Sequence, residues 1–367
     1  DWQSIIKFFI MFPLYTVANN IAGKRTTTDY KLIFHSPLIK SFSSRNNEED
    51  DVLNKIVYHY TSPSAFLSII QSQTLRFTDI RYLNDKSEGI YFVKLLLDFM
   101  DSYRNEYPLF NEVINKLLKG NDFAQIKELE TTSISYSTIR YHPYKNGRLF
   151  VFCACNETDS LNMWNYYVNN GSYQGYNIGL RISDLLQAFD VPSESRADAF
   201  TVYYGNVLYE KNVQFAEIKR LADSIEFGLT NPTNSSFRHG DYSFEQAQLA
   251  LYYYIYSRGP FYKHKKFKSE EEFRFVIEID DGRIPRNKKE AQKYEGPYNR
   301  KMEQGFCSKQ GLIVPYLTVS FPKQAISRIT IAPMVEFDIA KESVRELLAN
   351  SEIGNVKIYK SLIPIRF

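Results

Sequence analysis

Two periods of hydrophobicity run through this chain, and the points where one gives way to the other mark its elements. KIVYHY (55–60) gathers β-branched and aromatic residues into a short run and reads as a strand. Ser62 before Pro63 then reads as a helix start, a cap followed by a first-turn proline, with Phe66, Ile69 and Ile70 on one face. TLRFTD (74–79) is a second strand. LNDKSEG (83–89) opens a long helix, in which Asp85 and Glu88 have capping-box spacing and Ile90, Val93, Leu97 and Met100 form the stripe. Residues 108–140 read as mostly helical, and RLFVFCACN (148–156) is the most strand-like run of the first half. Asp159 or Ser160 caps a short helix, SLNMWNYYV, and YNIGLRI (176–182) is the next strand. FTVYYGNVLYE (200–210) predicts a hairpin that turns at Gly205-Asn206, and helices follow over 212–229 and 242–257. Strands at EFRFVIEID (272–280), GLIVPYLTV (311–319) and ISRITIAP (326–333), a helix over 337–350 and a strand over 356–361 close the chain. The order implies an α+β fold with a mixed sheet and helical insertions near 89–140 and 212–262.

Composition narrows the class. With 367 residues, 44% of them hydrophobic, the chain can bury a core, which excludes wholesale disorder. A net charge of +3 does not by itself argue for a nucleic-acid partner. Three cysteines, Cys153, Cys155 and Cys307, are too few for a disulfide scaffold and point to a reducing compartment, the cytoplasm. No second cysteine pair accompanies Cys153 and Cys155, so no metal site is expected there. Residues 1–50 read as an N-terminal arm with a polar, acidic linker at SFSSRNNEEDD (41–51), leaving 51–367 as the main domain. SIIKFFIMFPL (4–14) is interrupted by Lys7 and Pro13 and falls short of the roughly twenty apolar residues of a membrane span. It reads as a packed helix or an arm that meets a protein partner.

Candidate chemistry gathers at three places. In KFKSEEEFRFVIEID, Glu270 and Glu272 stand two apart at a strand entrance, so strand alternation predicts that they project to one side with Arg274. Carboxylates held that close raise one another's pKa and can divide the work of base and acid. His59 sits in IVYHYTS on the face of Val57, while Ile56, Tyr58 and Tyr60 share the other. NMWNYYVNNGSYQGYNIG carries Trp164 with Tyr166, Tyr167, Tyr173 and Tyr176, flat rings of the kind that sandwich a heterocycle. The glycines Gly171, Gly175 and Gly179 lack the strand-turn-helix order of a phosphate fingerprint.

The ordered series Tyr58-His59-Tyr60-Thr61-Ser62, Leu83-Asn84-Asp85 with Glu88, Phe152-Cys153, Met163-Trp164 with Tyr167, Phe267, Glu270-x-Glu272-x-Arg274 and the closing Ser361-x-x-Pro364-x-Arg366 resembles a widespread bacterial family, domain of unknown function 2971. The resemblance runs over about residues 55–367. The family is in turn similar to the ADP-ribosyltransferase fold. That likeness implies a split sheet binding NAD+ as substrate, with His59 holding a ribose hydroxyl and a tyrosine of the 164–176 segment stacking on nicotinamide. It implies an NAD-binding set of His59, Tyr60, Thr61, Trp164, Tyr167 and Arg274, and a catalytic pair. Glu272 would hold the 2′-hydroxyl and face the oxocarbenium-like charge, and Glu270 would orient or deprotonate an acceptor. It further implies transfer of ADP-ribose to a macromolecule by a bacterial effector such as a toxin or phage-defence component.

A binding module is the competing class. YSRGPFYKHKKFK (256–268) and RIPRNKKEAQK (283–293) interleave cations with rings, as a surface that holds a nucleotide or nucleic acid without chemistry would. A nuclease built on Glu270, Glu272 and Asp280 ranks below it, because no lysine follows the acid pair closely.

Overall fold

Ser62 caps its helix as the sequence predicts. Its Oγ accepts from the Ala65 amide at 3.3 Å in the computed structural model, and Pro63 occupies the first turn. The structure describes residues 34–35, 53–85, 90–119, 147–168, 171–189, 200–231, 243–281, 284–286, 302–309 and 311–365. The arm and linker outside Phe34–His35, residues 120–140, Glu88, most of the 283–293 basic stretch and Arg366 lie outside them.

In chain order the elements are β1 (Phe34–His35), β2 (Ile56–Thr61), α1 (Pro63–Ser72), β3 (Thr74–Asp79), α2 (Tyr91–Ser102), α3 (Pro108–Lys119), β4 (Gly147–Cys155), α4 (Leu161–Tyr167), β5 (Tyr176–Arg181) and α5 (Ile182–Phe189). They continue as β6 (Phe200–Asn206), α6 (Lys211–Thr230), α7 (Phe244–Arg258), β7 (Glu272–Asp280), β8 (Met302–Lys309), β9 (Leu312–Ser320), β10 (Ile326–Ile331), α8 (Phe337–Asn350) and β11 (Lys357–Lys360). The protein is thus a mixed α/β molecule with a mostly antiparallel open sheet. The chain divides into two compact units, the first drawn from residues 1–42, 80–147 and 203–267 and the second from residues 43–79, 148–202 and 268–367.

The first unit is largely helical. Phe92, Val93, Leu95, Leu96, Phe99 and Met100 of α2 and Ile218, Leu221, Ala222 and Ile225 of α6 are buried stripes, the pattern that makes an amphipathic helix settle on a core. Glu226 of α6 caps α3 from outside, taking the Leu109 and Phe110 amides at 3.2 and 2.9 Å. The segments read as insertions, near 89–140 and 212–262, fall within this unit. The expected hairpin at Gly205-Asn206 does not form. β6 continues through both residues, and Leu208 then bridges in parallel to Tyr262. The Gln214 side chain fixes that bridge by donating to the Leu208 and Lys263 carbonyls at 2.6 and 3.0 Å.

The second unit holds the sheet whose order runs β7-β4-β2-β5-β10-β11, with β3 joining β4 to β9 and β8 closing on β9. At β4 the sheet forks. Phe150 and Val151 pair with Asp79 and Thr78 of β3, whereas Cys155 pairs with Tyr58 of β2, so neighbouring stretches of one strand feed two diverging branches. The sequence pattern does not show β8, because its partly exposed MEQGFCSK lacks a buried stripe; register with β9 holds it, and Gly311 at φ +80° makes the short return. Nor does the pattern separate α5 from β5, since the strand-like YNIGLR passes into ISDLLQAF without a breaker.

Candidate active site

The entrance of β7 is built by an abrupt change of backbone conformation. Lys265–Glu270 is a 3₁₀ turn, Glu271 takes a left-handed conformation at φ +42°, and the strand begins at Glu272. A non-glycine residue there costs about 1–2 kcal/mol, and such residues gather where surrounding structure over-determines them. Asn156 supplies the restraint: its backbone N–H and its Nδ2 both donate to the Glu271 carbonyl at 2.9 Å. The sequence offered strand alternation as the reason why Glu270 and Glu272 share a side, and this is corrected. Glu270 lies outside the strand, and the turn at Glu271 sets its direction.

Both carboxylates are buried, and both act on Tyr167 of α4. The Tyr167 hydroxyl is hydrogen-bonded to Glu270. Burial pushes its pKa well above the ordinary phenol value, and the charges of Glu270 and Glu272 push it further. Tyr167 therefore stays a neutral O–H donor at any physiological pH. Arg274 lies beside Glu272, donating from Nε at 3.0 Å and Nη2 at 2.5 Å to the same oxygen, Oε2. At 1% and 4% exposure neither partner is screened by water, so each charge needs partners at close range.

The Asn156–Glu271 bond ties the end of β4 to the entrance of β7, its neighbour in the sheet. The Phe152 and Phe275 rings of these two strands lie 6.2 Å apart. Burial raises the Cys155 thiol to about 12, and Glu271, Glu157 and Glu272 add to this, so the thiol is no nucleophile.

Tyr60 and Trp164 lie in the core against which Tyr167 packs, with Cys155, Met163 and Val168. Trp164 is fully buried, meets the Tyr60 ring edge-on at 4.7 Å and donates from Nε1 to Asp159 Oδ1 at 2.7 Å. The Tyr60 hydroxyl donates to the Glu157 carbonyl at 2.8 Å and accepts from the Ser160 amide at 2.9 Å. Ser160, rather than Asp159, caps α4. Asp159 instead collects Trp164, the Ser361 hydroxyl at 2.8 Å and the Leu362 amide at 2.7 Å, tying the closing segment to the site's floor. Thr61 is buried at the end of β2, opposite Tyr176. Among the remaining tyrosines Tyr166 is exposed, Tyr173 is left-handed at φ +53°, and Tyr176 stacks on Phe66 at 4.2 Å.

His59 points to the other face of the sheet. Its ring packs on Phe152 at 4.9 Å, and its Nδ1 sits 3.3 Å from the Cys153 carbonyl, within the stretch of β4 where the branches part. The structure thus gathers Tyr167, Glu270, Glu272 and Arg274, with Tyr60 and Trp164 beneath them, and does not place the His59 ring among them. Burial lowers the His59 pKa to about 4 from 6.5, the carbonyl bond opposing it. A histidine that is neutral when folded and protonated when unfolded costs stability as pH falls below 6.5, until about 4. We expect the urea-unfolding free energy to drop by up to about 3 kcal/mol more over that window than in His59→Phe. Parallel pH profiles for the two proteins would contradict this burial.

Asn156 does not stand out in the sequence, and Asp159 stands out only as a helix-cap candidate. Their shared signal is a place just after a strand, where Asn and Asp side chains bond local backbone. Of the basic stretch 256–268, Arg258 and Lys263 are buried, and Lys265, Lys266 and Lys268 are exposed. Among the described residues no three His, Cys, Asp or Glu side chains are grouped to hold a metal ion, and no helix is long and apolar enough to cross a membrane.

Residues 163–275 match the family model described as protein of unknown function (DUF2971). The DUF2971 match opens at Met163 in α4 and closes at Phe275 in β7, so it takes in Trp164, Tyr167, Glu270, Glu272 and Arg274 and leaves out His59, Tyr60 and Thr61. No curated protein and no solved structure matches the chain.

Proposed function

We propose that this chain is an NAD-dependent enzyme of the ADP-ribosyltransferase type, which breaks the nicotinamide–ribose bond and passes ADP-ribose to a macromolecular acceptor. One observation carries the reading: two buried carboxylates, Glu270 and Glu272, meet a neutral phenol, Tyr167, at a rigidly held strand entrance. Glu272, oriented by Arg274, holds the 2′-hydroxyl and faces the positive charge that develops at the anomeric carbon as nicotinamide leaves with the bonding electron pair. A preorganised carboxylate favours that transition state over the ground state, because the charge is not yet there in bound NAD+. Glu270 takes the acceptor's proton as the new glycosidic bond forms, and Tyr167 holds Glu270 in position. Tyr60 and Trp164 serve by fixing α4, and His59 by filling the fork beneath it; the ring that covers nicotinamide comes from Tyr167 or its neighbours. The forked sheet supports a split-sheet cleft, and the three free cysteines support a bacterial effector working in a reducing cytoplasm.

The test is nicotinamide release from NAD+ in the presence of protein, RNA and DNA acceptors. Tyr167→Phe keeps the ring and removes one hydroxyl from beside Glu270, and is expected to lower kcat about tenfold with little change in KM. Absence of release by the native chain with every acceptor class would end this reading.

A further inference from the structure

At the far edge of the second unit's sheet, α8 and β11 flank an open notch of about 280 Å³ lined by Lys341, Arg345, Val356, Lys357, Ile358 and Tyr359. Lys341 and Arg345 are four apart on α8 and so share a helix face, while Lys357 and Tyr359 are two apart on β11 and share a strand face. No acidic side chain lines the notch, and among the described residues none of these three cations forms an ion pair.

Arg328 lies behind Tyr359, outside the lining of the notch. It opposes Lys357 across β10–β11, its stem crosses Gly179 where a Cβ would meet its Cγ at 2.5 Å, and its guanidinium stacks 3.9 Å from the Tyr359 ring centre. Its Nε is buried with no acceptor among the described residues. Like charges lining one notch repel, and an anion with several acceptor oxygens held among Lys341, Arg345 and Lys357 relieves that repulsion.

We propose that this notch binds a small phosphate-bearing ligand, with Lys341, Arg345 and Lys357 around the phosphoryl oxygens and the Tyr359 ring against its substituent. Arg345 supplies the planar fork that suits two phosphoryl oxygens, and the lysines supply point charge. The volume sets the size class. Pockets for drug-sized ligands run from about 300 to 1,000 Å³, so this notch takes a phosphate with one small group and not a whole dinucleotide such as NAD+. The site stands apart from Glu272 and does not rest on the enzymatic reading.

Titration calorimetry of the full chain with inorganic phosphate, with adenosine monophosphate and with a twelve-nucleotide single strand tests the proposal. Saturable one-to-one binding of phosphate or the mononucleotide is expected, weakened at least tenfold in Arg345→Ala and again in Lys357→Ala. Both residues are exposed, so folding checked by circular dichroism should be kept, and Lys309→Ala, exposed on β8, should bind as the native chain does. Three results would overturn the site: no saturable binding of either small ligand, equal binding in Arg345→Ala, or binding of the oligonucleotide alone.

Discussion

Glu272→Gln should lower nicotinamide release by about 100- to 1,000-fold, the loss typical when one preorganised group facing a developing charge is neutralised. The amide has nearly the shape of the carboxylate and leaves an oxygen near Arg274, so substrate should still bind and KM should move far less than kcat. The reason lies in where the charge sits. Glu272 Oε2 is fixed by two Arg274 donors at 3.0 and 2.5 Å in a site closed to water, so it need not reorganise when the ribose becomes cationic. Removing that charge takes away an interaction made mainly in the transition state. Rates measured well below the unfolding midpoint keep the chemical loss apart from any loss of fold. A Glu272→Gln protein within a few-fold of native activity would remove Glu272 from the mechanism and leave the reading without its central residue.

How much of this was legible depends on the distance over which each feature is determined. Ser62-Pro63 and the run after it gave α1, because cap, proline and apolar spacing all act within one turn. The Glu270 and Glu272 pair was visible for the same reason, but its geometry was not. Alternation assumes a strand, and the left-handed Glu271 is held by Asn156, a residue 115 positions away. Alternation did place His59 beside Val57 and opposite Tyr58 and Tyr60, and the pairing of Tyr58 with Cys155 carries that choice across the fork. What the chain alone could not say is that Glu272 acts on Tyr167, because the entrance of β7 is tied to the end of β4 by a bond over more than a hundred residues. Trp164 was legible as a ring in a tyrosine-rich segment, and both of its readings were open. Burial and the bond to Asp159 show a ring committed to the core.

Arg274→Met alone should destabilise the second unit by about 3–5 kcal/mol, since it removes a cation held at hydrogen-bond distance from the buried Glu272. Glu272→Leu alone should cost a similar amount by removing a buried carboxylate from beside the guanidinium. The double variant Glu272→Leu/Arg274→Met should recover most of the loss, because two apolar side chains of similar volume need no counter-charges where two ions had to lose their water. Urea unfolding followed by Trp164 fluorescence in a Trp2→Phe background reads this directly, as Trp164 is fully buried in the core. If the two single losses simply add in the double variant, the pair is not coupled in solution as it is in the structure. The double variant also separates the two demands on this site. A buried ion pair that apolar residues can replace without loss of stability is not kept for stability, so a well-folded Glu272→Leu/Arg274→Met protein that releases no nicotinamide would assign the pair to chemistry. The same protein releasing nicotinamide at the native rate would leave the pair with no chemical role at all.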